Sequence, residues 1–309
     1  MIELVTLALN PTIDISYEVE TMAPTKKLRA YSERHETGGG GINVAKVFER
    51  LGGRVHCHYL SGGPTGLTLD GLLDRDGLAR TKIAIAGDTR VCSMVFERST
   101  GLEYRLVSPG PAISEPEWHE SLAVLGGVEC PFLVLSGSLP GGVPDDYYAR
   151  AAEIGRRHGA KIVLDSSGRG LAGGLAGGGI YLVKPNLIEL ESVVGGELVS
   201  EERIIEAARS VVERGMAENV AVTLGEGGAL LVSAHTQFRL PAIPVPARSA
   251  VGAGDSFLAA MVFAMARDWT IENAFRLGVA AGAAALMTPG TELAEAEDIM
   301  RLYGSVPGK

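Results

Sequence analysis

The chain has 309 residues, 46% of them hydrophobic and 21% charged, and a formal net charge of −9. This suits one large globular α/β domain and excludes a disordered or fibrous chain. The acidic balance also argues against nucleic acid or an anionic membrane as the main partner, since both select clustered Lys and Arg, while leaving room for a local basic pocket.

The first residues, Met1 to Leu9, lack a basic start and a cleavable apolar stretch; a strand over 3–9 is expected, and export is not. Ile13 to Glu36 then reads as extended, hairpin-like chain without a helix. Thr37 leads into four glycines, Gly38 to Gly41, followed by Ile42 and Asn43 at the start of a helix expected over 42–51. The run does not complete the Gly-x-Gly-x-x-Gly spacing of a dinucleotide site. It is either a structural turn or a place where a sugar or phosphate approaches bare backbone. After a strand over 54–60, the segment Arg90 to Val107 is again extended, and with 13–36 it is expected to form a small sheet beside the main one. Asp14, Lys27, Arg29, Arg90 and Arg105 fall in these two segments, where isolated charges by themselves read as solvated surface. Ser114 before Glu115-Pro116-Glu117 carries helix-start chemistry.

From Pro131 onward, strands expected over 131–136, 161–164, 180–183 and 220–224 alternate with helices over 144–158, 187–194 and 201–214. Such alternation builds a parallel sheet. Ser136-Gly-Ser138 and Thr223-Leu-Gly225-Glu-Gly-Gly228 lie just past strand ends, where ligands collect in open α/β sheets. The glycine-rich stretch 170–179 is a further candidate for backbone-mediated binding. In Lys184-Pro-Asn186-Leu-Ile-Glu189, Asn186 and Glu189 have capping-box spacing; they equally suit nucleotide phosphates and a hydrated Mg²⁺. Gly252-Ala253-Gly254-Asp255 opens a helix over 253–266, with another over 271–287. Its free amides form an anion hole, and Asp255 either caps the helix or takes a proton from an attacking hydroxyl. The apolar stretch 277–287 is too short to span a bilayer. Cys57, Cys92 and Cys130 show no metal or redox spacing, so reduced thiols in a cytoplasmic protein are expected.

The order of these stretches resembles the ribokinase-like sugar kinases, specifically the phosphofructokinase B group, over essentially the whole chain. The 38–43 run is similar to that group's amino-terminal signature, and Ala250 to Ser256 to its carboxy-terminal one. Gly-Gly-Gly-Gly-Ile-Asn, Leu28-Arg29, Glu103-Tyr104-Arg105, Asp165-Ser-Ser-Gly168 and Val183-Lys-Pro-Asn186 resemble the minor B-type 6-phosphofructokinases; the 1-phosphofructokinases and tagatose-6-phosphate kinases usually carry Lys at the position of Gly40.

The resemblance implies one ribokinase-like domain over 1–309, a three-layer α/β/α sandwich with a mostly parallel central sheet. A small β-sheet lid, from 13–36 and 90–107, pairs with a second copy to make a homodimer. Fructose 6-phosphate is the implied substrate, with tagatose 6-phosphate or fructose 1-phosphate as alternatives; a catalytically silent sugar-phosphate sensor is the reading from another class.

By the same resemblance, Asp14, Gly39 and Asn43 hold sugar hydroxyls, and Lys27, Arg29, Arg90, Arg105 and Ser138 surround the sugar phosphate, some reaching across from the partner. ATP lies along Lys184, Asn186, Thr223, Gly225 and Gly228, with Val279 near the adenine. Glu189 acts on Mg²⁺ through water, while Asp255 and the amides of Gly252, Ala253 and Gly254 carry the transfer. K⁺ is implied beside the anion hole at Ser249, Val251, Ala285, Thr288 and Gly290. Ala247, Ala283 and Glu292 depart from the group's pattern, and inhibition by excess MgATP could use Lys27.

Overall fold

A computed structural model describes residues 1–306. The chain opens with β1 (Leu4–Ala8), then β2 (Thr12–Val19) and β3 (Ser32–Gly38), and enters α1 (Gly40–Arg50). Next come β4 (Val55–Ser61), α2 (Gly63–Asp76), β5 (Arg80–Ala84), β6 (Arg90–Glu97) and β7 (Leu102–Leu106). The middle alternates α3 (Glu115–Leu125), β8 (Phe132–Ser136), α4 (Tyr147–Arg157), β9 (Lys161–Asp165), α5 (Gly168–Ala176), β10 (Ile180–Val183), α6 (Leu187–Val194), α7 (Glu201–Glu213) and β11 (Ala217–Thr223). It ends with β12 (Ala229–Ser233), β13 (Gln237–Leu240), α8 (Ala253–Met265), α9 (Ile271–Leu286) and α10 (Ala296–Tyr303).

Among the described residues, nine strands form one sheet in the order β13-β12-β11-β10-β9-β8-β1-β4-β5. It is parallel except at one edge, where β12 runs antiparallel to both β11 and β13. Its strands are apolar on both faces, as a sheet buried on both sides requires. One face packs on α1, α8, α9 and α10, where Phe48, Phe257, Phe263 and Phe275 are buried; the other carries Trp118, Tyr147 and Tyr148 from α3 and α4. This is the expected three-layer α/β/α architecture, and among the described residues no helix is long and apolar enough to cross a membrane.

The two extended segments pair as expected: β3-β2-β6-β7 form a separate four-stranded sheet. The register places Asp14, Ser16, Arg34, Glu36, Cys92, Met94, Glu103 and Arg105 on one face; the other carries Tyr17, Val95, Tyr104, Leu102 and Leu106.

The glycine-rich stretch 170–179 is corrected. Most of it is α5, not a ligand-binding loop: a Cβ on Gly173 would sit 1.9 Å from the carbonyl oxygen of Asp145, and one on Gly174 2.8 Å from the Leu164 side chain. These glycines let helices pack closely. Leucines at 67, 69, 72 and 73 and a left-handed Gly77 at the C-cap set α2, a helix its internal glycines obscure in the sequence.

Candidate active site

Asp255 stands in the first turn of α8, behind a left-handed Gly252 (φ 73°) that no β-carbon-bearing residue adopts readily. The helix therefore starts abruptly, and its first amides, which have no helical partners, point out at the carboxyl ends of the parallel strands. Asn43, in the first turn of α1, donates from Nδ2 to Asp255 Oδ2 over 2.8 Å. The two helix starts are thus pinned together, and the second Asp255 oxygen is left for another partner.

The glycine run explains how they meet. Gly39 has φ 105°, turning the chain from β3 into α1. A β-carbon on Gly40 would lie 2.1 Å from Ser136 Oγ and 3.3 Å from Asp255 Oδ1, and one on Gly38 would lie 2.0 Å from Asp14 Oδ2. Bare backbone here lets Asp14, Ser136 and Asp255 converge on one floor. Burial weakens the acidity of Asp14 most, and its hydrogen bond to Thr12 and the charges of Arg90 and Arg105 only partly oppose this, leaving its pKa at about 6.

On the nucleotide side, the capping box is formed: Asn186 N donates to Glu189 Oε2 over 2.8 Å, and Glu189 N donates to Asn186 Oδ1 over 2.9 Å. Lys184, at the end of β10, is buried and lies 3.1 Å from Asp165 Oδ1 at the end of β9. Its Nζ would be 3.2 Å from a β-carbon on Gly254, against the anion hole. Burial alone would lower the lysine pKa, but the carboxylates of Asp165, Asp255 and Glu189 outweigh it and keep the amine charged. Burial likewise pushes the carboxyl of Asp165 up, against the pull of Lys184. Thr223 bridges to Asn186; Gly225 opens the 3₁₀ turn after β11 and Gly228 follows it. Val279 is buried in the core beside α8, packed rather than presented on an open face.

Segments 249–251 and 285–290 lie side by side, joined by Arg248 N donating to Leu286 O over 2.7 Å. The Ala285 carbonyl accepts from Thr288 Oγ1 at 2.8 Å and from Thr288 N at 3.2 Å. The same turn docks on the small sheet: Glu292 pairs with Arg34, Thr291 Oγ1 donates to Glu36, and Ser249 Oγ donates to Glu103 Oε2 over 3.4 Å. Glu292, a departure from the group's pattern, thus has its own partner. A cavity of about 530 Å³ lies beside this seam, lined by Ser16, Arg34, Met94, Arg248 and Gly290 among others.

Two expected residues do not join this cluster. Lys27 and Arg29 are exposed on the loop between β2 and β3, at the end of the hairpin opposite Asp14. The strand from Asp14 to Val19 alone spans roughly 17 Å, so hairpin geometry carries both away from Asp255 of the same chain. Three other residues join the site without having been given a role: Asn10, which no motif marked, and Ser136 and Asp165, which lie in stretches noted above. Asp165 and Ser136 are paired at the carboxyl ends of adjacent parallel strands, a position that itself marks candidates.

Comparison with known proteins agrees with this geometry. A family profile described as pfkB family carbohydrate kinase matches residues 2–298. The chain is 42% identical over 302 residues, 97% of its length and 88% of the relative's, to a protein of Mycobacterium tuberculosis named ATP-dependent 6-phosphofructokinase isozyme 2. Two crystal structures of phosphofructokinase-2 from Escherichia coli superpose over 99% of both chains. One, in complex with potassium, gives a TM-score of 0.94 at 36% identity; the other, in complex with fructose-6-phosphate, gives 0.93 at 35%.

Proposed function

The chain belongs to the pfkB family of carbohydrate kinases, and we propose that it is an ATP-dependent 6-phosphofructokinase that phosphorylates the C1 hydroxyl of fructose 6-phosphate. The observation that carries the reading is the Asn43–Asp255 contact at the start of α8. Asn43 fixes one carboxylate oxygen, so the other is presented to the incoming hydroxyl. Asp255 takes the C1 proton as the oxygen attacks the γ-phosphorus in line, and ADP leaves. The first amides of α8, from Gly252 to Gly254, and the Lys184 ammonium stabilise charge growing on the phosphoryl oxygens. Asp14, Gly39 and Asn43 orient the sugar; Arg90, Arg105 and Ser138 receive its phosphate.

ATP follows Lys184, Asn186, Thr223, Gly225 and Gly228. Mg²⁺ fits this end of the site: the donors are oxygens, and one ammonium among the carboxylates of Asp165, Asp255 and Glu189 leaves negative charge to offset. Asn186 and Glu189 would hold the ion through water, and it would supply neutralisation of the transferring phosphates. Backbone carbonyls in 249–251 and 288–290 would serve a K⁺ ion.

The small sheet is the lid, held over the site by its contacts to the 289–292 turn, and closure excludes water that would otherwise hydrolyse ATP. Its outer face, with exposed Tyr104, Leu102 and Leu106, is the dimer surface. Pairing there would bring Lys27 and Arg29 to the partner's phosphosugar. A silent sensor is disfavoured because Asp255, Asn43 and Lys184 are all present and already in contact with one another or with the anion hole. Phosphorus NMR of the products from ATP and fructose 6-phosphate tests the reading: equal ADP and fructose 1,6-bisphosphate are expected. Failure to phosphorylate any phosphosugar would overturn it.

A further inference from the structure

Two of the four chain connections between the lid and the main domain, at residues 9–11 and 107–112, meet at one buried residue, Asn10. Its Nδ2 donates to Pro109 O in the return connection over 3.0 Å and to Ser138 Oγ over 3.4 Å. The backbone carbonyl of Asn10 accepts from Arg90 Nη2 at 2.8 Å, while Arg90 Nη1 donates to Ser108 O at 3.0 Å. Arg90 is the first residue of β6, so a third connection into the lid ends in the same knot. Gly110 has φ 90°, and a β-carbon there would sit 2.3 Å from Asn10 Oδ1, so the return connection is pressed onto this amide.

Two polar atoms of the knot have no partner: Asn10 Oδ1, on a residue only 6% exposed, and Arg90 Nε. Buried polar atoms are nearly always satisfied, and exceptions cluster where a ligand or water completes the set. Ser138 supplies the link to the substrate. Because its oxygen accepts from Asn10, its own proton is free to be donated outward, which is what a phosphate oxygen requires.

We propose that Asn10 is a positioning residue whose side-chain amide sets the Ser138 hydroxyl to receive the substrate's phosphate and ties that pocket to the lid connections. This rests on the phosphosugar kinase reading above. Asn10 makes no chemical step; it decides how the phosphate end of the sugar is held.

The test is steady-state kinetics of Asn10→Ala and of the isosteric Asn10→Asp, with fructose 6-phosphate and with unphosphorylated fructose as sugar. Neither variant keeps the donor to Ser138. Both are expected to raise KM for fructose 6-phosphate about tenfold, leave KM for ATP within twofold, and reduce the preference for the phosphorylated sugar by the same factor. Ser138→Ala combined with Asn10→Ala is expected to cost no more in KM than Ser138→Ala alone, because one acts through the other. A purely structural role predicts instead that the sugar preference stays as in the wild type while both KM values and thermal stability change together, or that the two substitutions add; either result overturns the inference. If Asn10→Ala does not fold, Asn10→Asp carries the test alone. Wild-type protein with no phosphosugar activity would defeat the underlying reading and this inference with it; an active wild type with unaltered variants defeats this inference only.

Discussion

Asn43 Nδ2 donates to Asp255 Oδ2 over 2.8 Å, and the contact joins residues 212 positions apart, at the starts of α1 and α8. Each helix begins behind a glycine with positive φ, so both expose unpaired amides and both can bring a polar side chain close to the strand ends. The consequence is a carboxylate with one oxygen held and one presented.

Asp255→Asn removes the base while keeping the shape and the anion hole. Turnover is expected to fall on the order of 10³-fold, with KM for fructose 6-phosphate changed only a few-fold. Asn43→Ala should cost less, because it loosens the carboxylate without removing it. Steady-state kinetics on the two variants checks this order, and wild-type-like turnover in Asp255→Asn contradicts the base assignment.

The buried pair of Lys184 and Asp165 gives a stability signature separable from activity. Lys184→Met strands a buried carboxyl, and breaking such a pair costs about 3–5 kcal/mol at most, less here because Asp165 readily takes a proton. Adding Asp165→Asn should recover much of the lost thermal stability and none of the lost turnover. Calorimetry with kinetics on the single and double variants decides it; recovery of both would make the lysine structural only.

Asp14 sets a pH dependence. Its pKa is raised to about 6, so the ionised form, needed to accept sugar hydroxyls, is lost as pH falls through that value. kcat/KM for the phosphosugar is expected to drop on the acid side near pH 6. Arg105 holds this pKa down, so Arg105→Gln should move the acid limb to higher pH. A limb that stays put or moves down would remove Asp14 from the sugar contacts.

Much of this was legible in the sequence because periodicity and glycine placement act locally. The helix expected over 187–194 is found with those bounds, and the four strands expected from 131 to 224 differ by at most a few residues, while β12 and β13 were not expected. The two extended segments pair into the small sheet. Long-range packing was not legible. The glycines of α5 looked like ligand backbone, because a sequence does not say whether a missing β-carbon makes room for a phosphate or for α4. Asp165 was part of a recognised stretch without a role and Asn10 carries no motif; only the side-by-side ends of β8, β9 and β10, or the crossing of lid connections, give them partners. Lys27 and Arg29 follow hairpin geometry away from their own site.

That geometry bears on assembly. Tyr104 and Leu106 are exposed on the lid's outer face, so Tyr104→Arg with Leu106→Glu should convert a dimer to a monomer in sedimentation velocity and raise KM for the phosphosugar by removing the partner's Lys27 and Arg29. A monomeric wild type, or a monomeric variant of unchanged KM, would contradict the shared site.

If Asp255 faces the C1 hydroxyl of fructose 6-phosphate, the choice of sugar follows from it. The most direct measurement is kcat/KM of the purified protein with fructose 6-phosphate, tagatose 6-phosphate and fructose 1-phosphate under saturating MgATP. Fructose 6-phosphate is expected to give the highest value of the three; a much higher value for fructose 1-phosphate would overturn the substrate assignment.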